Sequence, residues 1–417
     1  MQSLWKDVDA EVWRAKGETV PGGADLALRV YTSRLIGQEP DLVLHGGGNT
    51  SVKVADGGEE VLYVKGSGWD LATIEAPGLP GVALQPLLAV REGGRLSDPE
   101  MVGLLRRNMI DQSGPNPSVE TLLHAFLPAR YVDHTHSAAA LAIANQPNAA
   151  DLSREIFGDR LVVVPYVMPG FDLAVAADRC FREAGGEGDG LFLVNHGLFA
   201  FHDDPRLSYE RIIAFTTACE AFLDSRGAAL APPEATTIAD EGLRDRVLAA
   251  LGAALRRHPV FAAGPAFDLR ATASIGRFLA LPDFAGIVGR GTVTPDHVIR
   301  LKPKPLIGEA AFTGDDWARA IDAFAADYAA YFERNARNAD EPKIMLDPMP
   351  RVALVRGLGL VGIGRNAKEA GICADLAEQA VRVMLSAERI GRFTPIGERD
   401  LFDMEYWSLE QAKLKVA

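Results

Sequence analysis

Three histidines and one glutamate have the residue types and spacing of a catalytic zinc site. His134 and His136 lie two residues apart at the end of an apparent strand, so both rings point to the same face. His196 follows an apolar run, and Glu120 lies at the predicted start of a helix. Three neutral imidazoles and a carboxylate can hold Zn²⁺ and leave a position open for a substrate oxygen. The alternative is an accidental histidine spacing, with His196 as a turn residue satisfied by the backbone.

Two glycine-rich loops have the composition of a phosphate-binding site. Residues 45–53 (HGGGNTSVK) and 65–68 (KGSG) each follow a predicted strand. Glycines allow backbone N–H groups to converge on an anion. The side chains that add donors are Asn49, Thr50, Ser51, Lys53, Lys65 and Ser67. The alternative is a pair of glycine turns that bind nothing. A lipase-like oxyanion hole is excluded because the sequence has no G-x-S-x-G motif.

Residues 357–362 (GLGLVG) match the G-x-G-x-x-G pattern of dinucleotide-binding folds. No second strand ending in Asp or Glu follows at the required distance, so we interpret them as packing glycines. Residues 352–370 also repeat the pattern of residues 191–210, a strand, a glycine turn, apolar residues and a helix start, but without a histidine. A degenerate repeat and two unrelated segments would both give this pattern.

The elements that must position these residues alternate between strand and helix along the whole chain. The patterns predict helices over 24–36, 102–110, 121–127, 138–145, 208–223, 242–258 and 316–336, and strands at 42–44, 51–54, 61–65, 131–137, 161–167, 191–201, FAGIVG (284–289) and HVIRL (297–301), with a closing strand and helix over 352–386. We predict a first α/β domain over 1–225, a linker over 226–240 and a smaller α/β region over 241–417.

The composition is that of a globular protein with a sizeable core. Hydrophobic residues make up 48% of the 417, and no apolar run approaches the roughly 20 residues that span a bilayer. The start of the chain lacks the basic and apolar regions of a signal peptide, which predicts a cytoplasmic protein. The net charge of −13, without a basic block, argues against nucleic acid as a partner. The three cysteines are interpreted as buried small hydrophobic residues.

Five motifs in order resemble the class II aldolase/adducin family: HGGGNTSVK, VKGSGWDL, NPSVE, VDHTHS and VNHGLF. The similarity covers residues 20 to 225 and is strongest to the aldolase part of bifunctional rhamnulose-phosphate aldolase/short-chain dehydrogenase proteins. It implies a three-layer α/β/α fold with a central, mainly antiparallel sheet, a homotetramer in many relatives, and zinc held by His134, His136 and His196. It also implies that Glu120 is the base and a further metal ligand. The implied phosphate ligands are Asn49, Lys65, Ser67, Gly68 and Ser118, whereas Val119 replaces a second serine of the family pattern.

These residues predict a zinc-dependent aldolase that cleaves a ketose 1-phosphate, such as rhamnulose 1-phosphate, to dihydroxyacetone phosphate and an aldehyde. Zinc would stabilise the enediolate while Glu120 moves the proton. Tyr166 is a candidate general acid; a hydrogen-bonded core tyrosine and an acid from a neighbouring subunit are the alternatives. An epimerase, another metal-dependent lyase and a non-catalytic adducin-like interaction protein are the competing functions.

Overall fold

The computed structural model describes residues 1–56, 58–339 and 341–407. These residues divide into two compact units, 1–225 and 226–407. Both units mix helices and strands, which confirms the predicted α/β class.

The first unit is built on a seven-stranded sheet. Its strands are β1 (Asn49–Asp56), β2 (Glu59–Val64), β3 (Gly81–Ala83), β4 (Tyr131–Thr135), β5 (Leu161–Val164), β6 (Gly190–Leu193) and β7 (Gly197–His202). Its helices are α1 (Asp7–Lys16), α2 (Gly23–Gly37), α3 (Leu84–Leu88), α4 (Asp98–Arg107), α5 (Thr121–Phe126), α6 (Ala138–Ala144), α7 (Ala149–Phe157), α8 (Phe171–Glu183) and α9 (Pro205–Ser225). The strand order is β3-β2-β1-β4-β7-β6-β5; β5 and β6 pair in parallel, and the other neighbours pair antiparallel. The sheet is therefore mainly antiparallel, as predicted.

Helices cover both faces of this sheet. Successive side chains of a strand point to opposite faces, and β1 shows the two environments. Thr50 is hydrogen-bonded to Ser33 on α2, whereas Asn49 and Ser51 contact His124 on α5. α2 and α5 consequently lie on opposite sides of β1, which gives the predicted three layers.

The second unit has a smaller sheet. Its strands are β8 (Ala266–Arg270), β9 (Leu306–Glu309), β10 (Val352–Arg356) and β11 (Gly359–Gly364), in the order β8-β11-β10-β9. Its helices are α10 (Glu241–Leu255), α11 (Ala273–Leu279), α12 (Phe284–Val288), α13 (His297–Leu301), α14 (Gly314–Ala336), α15 (Ala367–Ile390) and α16 (Glu398–Glu405). β9 and β10 pair in parallel, and the other neighbours pair antiparallel. Trp317 on α14 is fully buried in the core of this unit.

Three predicted strands are wrong. Residues 42–44 form no strand, and their hydrophobicity reflects burial, since Leu42 and Val43 are core residues. FAGIVG and HVIRL are the helices α12 and α13. A short apolar run fits a buried helix as well as a strand, and Phe284, Ile287 and Val288 bury one helical face.

Residues 226–240 contain no helix or strand, and they pack on the second unit. Arg382 donates to the Ala231 carbonyl, and Arg389 donates to the Gly227 carbonyl at 3.0 Å. The predicted linker thus lies in contact with the unit that follows it. Among the described residues, no helix combines the length and hydrophobicity needed to cross a membrane.

The cysteines differ in exposure. Cys219 and Cys373 are buried, as predicted, but Cys180 is half-buried on α8. All three are free thiols.

Candidate metal centre and anion pocket

Three imidazoles converge at one end of the large sheet. His134 and His136 come from β4 and the residues just after it, and His196 comes from the turn between β6 and β7. All three are buried, and their ligand nitrogens lie within 4.8 Å of one another. Because β4 pairs with β7, the two strand ends meet at the same edge. The structure therefore brings together the three predicted metal ligands.

The turn that carries His196 depends on Gly197 and Asn195. Asn195 has a positive φ of 57°, a region that asparagine tolerates better than most residues. A Cβ on Gly197 would collide with the carbonyl oxygen of Thr135 on β4. Glycine thus permits the close approach of β7 to β4 that puts His196 beside His134.

Hydrogen bonding and stacking fix the ring of His134. Its Nδ1 donates to the Leu198 carbonyl at 2.9 Å, which leaves Nε2 without a proton. The ring stacks on Phe199, its cross-strand partner, with ring centroids 4.1 Å apart. Nε2 of His134 then lies 3.1 Å from Nε2 of His136. Backbone and aromatic contacts therefore keep the lone pair of His134 Nε2 directed at the cluster.

Glu120 completes the cluster at the start of α5. One carboxylate oxygen lies 3.6 Å from His134 Nε2 and the other 3.6 Å from His196 Nε2. Burial alone would raise the pKa of the Glu120 carboxyl. The charges that His134 and His196 carry when protonated, together with a hydrogen bond from Asn49, outweigh burial and lower the pKa to about 2. Glu120 is therefore an anion that can bind a cation or accept a proton.

These residues fit a divalent cation. The 3.1 Å between the two imidazole nitrogens is close to the roughly 3.3 Å between two nitrogens of a tetrahedral zinc site. In addition, Oε1 of Glu120 is buried and has no hydrogen-bond partner in the part of the chain that the structure describes. A buried oxygen without a donor is the kind of group that a cation would satisfy.

The predicted anion-binding residues lie on segments that pair with each other. Ser67 N donates to the Asn116 carbonyl at 2.8 Å, and Ser118 N donates to the Lys65 carbonyl at 3.0 Å. Asn49 donates to Ser118 Oγ at 3.1 Å, and so joins the first glycine loop to this pair. Lys65, Ser67, Ser118 and Asn49 are thereby gathered beside Glu120. Gly68 is exposed with a φ of 87°, and a Cβ there would meet no neighbour.

The loop before β1 is held by glycine and by Lys65. Gly48 has a φ of 63°, and a Cβ on it would lie 2.6 Å from the carbonyl oxygen of His134. Lys65 is buried and donates to the Gly46 carbonyl at 2.7 Å. In this state the lysine therefore fixes the loop beside the cluster.

Two other predicted donors face away from this pocket. The hydroxyl of Thr50 is buried and bonds to Ser33 at 2.8 Å, so it contributes to the packing of α2 on the sheet. Lys53 donates to the carbonyls of Leu127 and Ala129, and burial lowers its pKa to about 8. Both side chains are used in the fold, since Thr50 points to the opposite face of β1 from Asn49 and Lys53 lies four residues farther along the strand.

Tyr166 lies in the segment between β5 and α8 and is half-buried. Val194, which begins the turn of His196, donates to the Val164 carbonyl at 3.0 Å. Tyr166 thus follows a strand that ends at the same edge of the sheet as the cluster. Its role as general acid stays a prediction.

His124 is a site residue that the sequence analysis did not select. It lies on α5, is fully buried and contacts Ser51 and Asn49, and burial lowers its pKa to about 3. Its position four residues after Glu120 puts both on one helical face, a signal that was present in the sequence.

The comparisons with known proteins identify the family of this chain. Residues 28–223 match the Class II Aldolase and Adducin N-terminal domain, and residues 244–414 match the second domain of class II aldolase. The "Uncharacterized oxidoreductase YuxG" of Bacillus subtilis (strain 168) is 31% identical, and the match covers 93% of this chain. The chain spans 58% of the length of that relative.

Two solved structures illustrate the similarity. The N-terminal class II aldolase domain of a conserved protein from Thermoplasma acidophilum is 39% identical and covers 54% of this chain and 99% of its own, with a TM-score of 0.47. The l-fuculose-1-phosphate aldolase from Thermus thermophilus is 17% identical and covers 48% and 96%, with a TM-score of 0.33. With its N-terminal domain and its second domain both matched, the chain belongs to the class II aldolase/adducin family.

Proposed function

We propose that this protein is a zinc-dependent aldolase that cleaves a ketose 1-phosphate, similar to rhamnulose 1-phosphate, to dihydroxyacetone phosphate and an aldehyde. One observation carries the proposal: the Glu120 carboxylate lies between His134 and His196, 3.6 Å from each, beside the segments of Lys65, Ser67 and Ser118. A base, a cation site and an anion pocket are the three parts that this reaction needs.

His134, His136 and His196 would hold the cation, with Glu120 as a further ligand. The bound cation supplies a Lewis acid that polarises the substrate carbonyl. The neutral imidazoles leave most of the charge of the cation available, because only Glu120 brings a negative charge.

Cleavage breaks the C3–C4 bond of the ketose phosphate, and the electron pair of that bond stays on C3. The C4 hydroxyl loses its proton and becomes the aldehyde carbonyl, whereas C3 gains a proton. Glu120 would carry the proton that C3 gains, and the C4 hydroxyl proton would leave through Tyr166 to solvent. In the reverse condensation Tyr166 would act as the acid at the same C4 oxygen.

The phosphate group would bind at Asn49, Lys65, Ser67, Gly68 and Ser118. Lys65 would exchange its bond to the Gly46 carbonyl for the phosphate, and the exposed Gly68 leaves room for the anion. Asn49 would exchange its bond to Ser118 Oγ for the phosphate and keep its bond to Glu120. Binding this remote group contributes to rate by positioning C3 and C4 at the base.

The test is an assay of the purified protein with a panel of ketose 1-phosphates. We expect release of dihydroxyacetone phosphate that is lost after chelation and restored by zinc. Full activity after complete removal of metal would refute the proposal. His258→Ala, in the second unit, is the matched control for the loss of a histidine.

An epimerase or another metal-dependent lyase is the alternative, because the same groups would serve other reactions through a carbanion next to a carbonyl. Product analysis across the panel distinguishes them. A non-catalytic, adducin-like role is less well supported, since all four predicted ligands are present and close together.

We also propose a cytoplasmic homo-oligomer that acts on small molecules and does not bind nucleic acid or membranes.

A further inference from the structure

A chain of buried hydrogen bonds runs from β1 through α5 to Glu120. Ser51 Oγ lies 2.8 Å from His124 Nδ1, and His124 Nε2 bonds to Asn49 Oδ1. Asn49 Nδ2 in turn lies 2.6 Å from Oε2 of Glu120. Each of these four residues is at most 6% exposed.

The donors and acceptors of this chain have one consistent direction. The Glu120 carboxylate only accepts, so the end of Asn49 that faces it must be the NH₂ group. The carbonyl oxygen of Asn49 then faces His124, so Nε2 of His124 carries the proton. Nδ1 of His124 consequently accepts from the hydroxyl of Ser51.

His124 itself is outside the cation site. The cluster of potential ligands among the described residues consists of His134, His136 and His196. The His124 ring is instead fixed by an edge contact with Phe199, with centroids 5.5 Å apart. Phe199 also stacks on His134, so one aromatic ring holds both imidazoles in place.

We propose that His124 is a positioning residue that sets the orientation of the Glu120 carboxylate through Asn49. When Nε2–H of His124 donates a hydrogen bond to Asn49 Oδ1, the amide presents its NH₂ group to Oε2 of Glu120. The two carboxylate oxygens of Glu120 then stay directed at His134 and His196. Without that proton donor, the amide can rotate and turn its oxygen toward the carboxylate, which would repel Glu120. Only the kinetic consequence of this proposal rests on the proposed aldolase function.

The first test needs no turnover. Nitrogen NMR of the full-length, zinc-loaded protein with labelled histidine reports which ring nitrogen of His124 carries a proton, and the His124→Gln spectrum assigns the signal by its loss. We expect the Nε2–H tautomer at neutral pH. An Nδ1–H tautomer or a doubly protonated ring would overturn the proposal.

The second test compares His124→Phe, which keeps the ring volume, with His124→Gln, which keeps an amide donor. We expect the Phe variant to keep about one zinc per chain on the three histidines but to lose about 100-fold in kcat, the size expected for a base displaced by about 1 Å. KM should change by less than about threefold, and Gln should restore kcat to within about tenfold of wild type. His258→Phe is the control for a histidine-to-phenylalanine change elsewhere.

A folded Phe variant with wild-type kcat would overturn the proposal, and so would equal losses in the Phe and Gln variants. If the Phe variant does not fold, the tautomer and the Gln variant decide the question. A wild type without aldolase activity would contradict the proposed function alone, because the NMR measurement still reports the direction of the hydrogen bonds.

Discussion

At the scale of single residues, the site depends on where the backbone can approach itself. Gly197 is the first residue of β7 and lies directly against the carbonyl of Thr135. Thr135 is the residue between His134 and His136. A side chain at this position would push β7 away from β4. The first unit would become less stable, and His196 would lie farther from the other two imidazoles.

Gly197→Ala is therefore expected to destabilise the first unit by about 2 kcal/mol and to weaken zinc binding by about 10- to 100-fold. Thermal unfolding and a zinc titration measure the two effects. Gly93→Ala is the control, because a Cβ there makes ordinary contacts of 3.5 Å or more. Equal stability of the two variants would contradict the role given to Gly197.

The sequence predicts the clustering of His134, His136 and His196 better than it predicts the residues around them. The i, i+2 spacing of His134 and His136 and the glycine after His196 have direct geometric meanings. Thr50, in contrast, was predicted in the pocket because the sequence shows that strand residues alternate but not which face bears the site. For His124, the sequence shows only the four-residue spacing from Glu120, and that spacing does not reveal the buried partners Ser51 and Asn49 that give the ring its place in the site.

At the scale of elements, a buried ion pair joins α2 to β4. Arg29 and Asp133 are both fully buried, with Nη2 and Oδ1 2.5 Å apart. Ser208 on α9 donates to the other oxygen of Asp133 at 2.5 Å. Asp133 is adjacent to His134 and points to the opposite face, so this pair anchors the strand that carries the ligands.

Asp133→Asn should cost about 3 to 5 kcal/mol, since it leaves the charge of Arg29 buried and uncompensated. Chemical denaturation measures the change in the free energy of unfolding. Arg154→Ala is the control, because it removes the exposed pair Arg154–Asp151 and should change stability by less than about 0.5 kcal/mol. A cost for Asp133→Asn as small as that of the control would show that the pair does not anchor β4.

The two sheets share a four-stranded order. In the first unit the order β4-β7-β6-β5 has the same directions as β8-β11-β10-β9 in the second. A Cβ on Gly359 would collide with the Arg270 carbonyl, as one on Gly197 would with Thr135. By register, Leu269, Ala271 and Leu358 occupy the positions of the three histidine ligands. This correspondence supports the degenerate repeat, with packing retained and metal ligands replaced.

The same register explains the glycine motif of residues 357–362. It forms the turn and first part of the β10–β11 hairpin and not the start of a nucleotide-binding helix. A Cβ on Gly362 would collide with the Ala370 carbonyl on α15. The interpretation as packing glycines is confirmed. It could be predicted from the sequence because the rest of a βαβ unit is missing there. The short helices α12 and α13 could not be predicted, since five residues are too few to show a helical period.

At the scale of the whole molecule, the second unit contains a buried polar cluster that responds to pH. Tyr328, Tyr406 and Lys302 surround Glu405, and Tyr328 donates to Glu405 at 2.7 Å. Burial raises the pKa of Tyr406 to about 12 and that of Tyr328 further. Burial shifts the pKa of Lys302 in the opposite direction, to a lower value.

The folded state therefore holds the tyrosine protons more tightly than the unfolded chain, where tyrosine titrates near pH 10. The contribution of Tyr406 is fully present below about pH 10 and is lost as the pH rises through about 12. We expect Tyr406→Phe to reduce the loss of stability across this window by up to about 2 kcal/mol. Urea denaturation at several pH values between about 10 and 12 measures the free energy of unfolding, and the same pH dependence in both proteins would contradict this expectation. Because Lys302 is present in both, the difference isolates the tyrosine.

The central claim is that His134, His136 and His196 hold one divalent cation per chain. The most direct measurement is elemental analysis of the full-length protein after zinc loading and dialysis, for the wild type, His134→Ala, His196→Ala and the control His258→Ala. The account predicts about one zinc per chain in the wild type and the control, and little in the two site variants. A wild type that retains no zinc, or site variants that retain as much as the control, would contradict it.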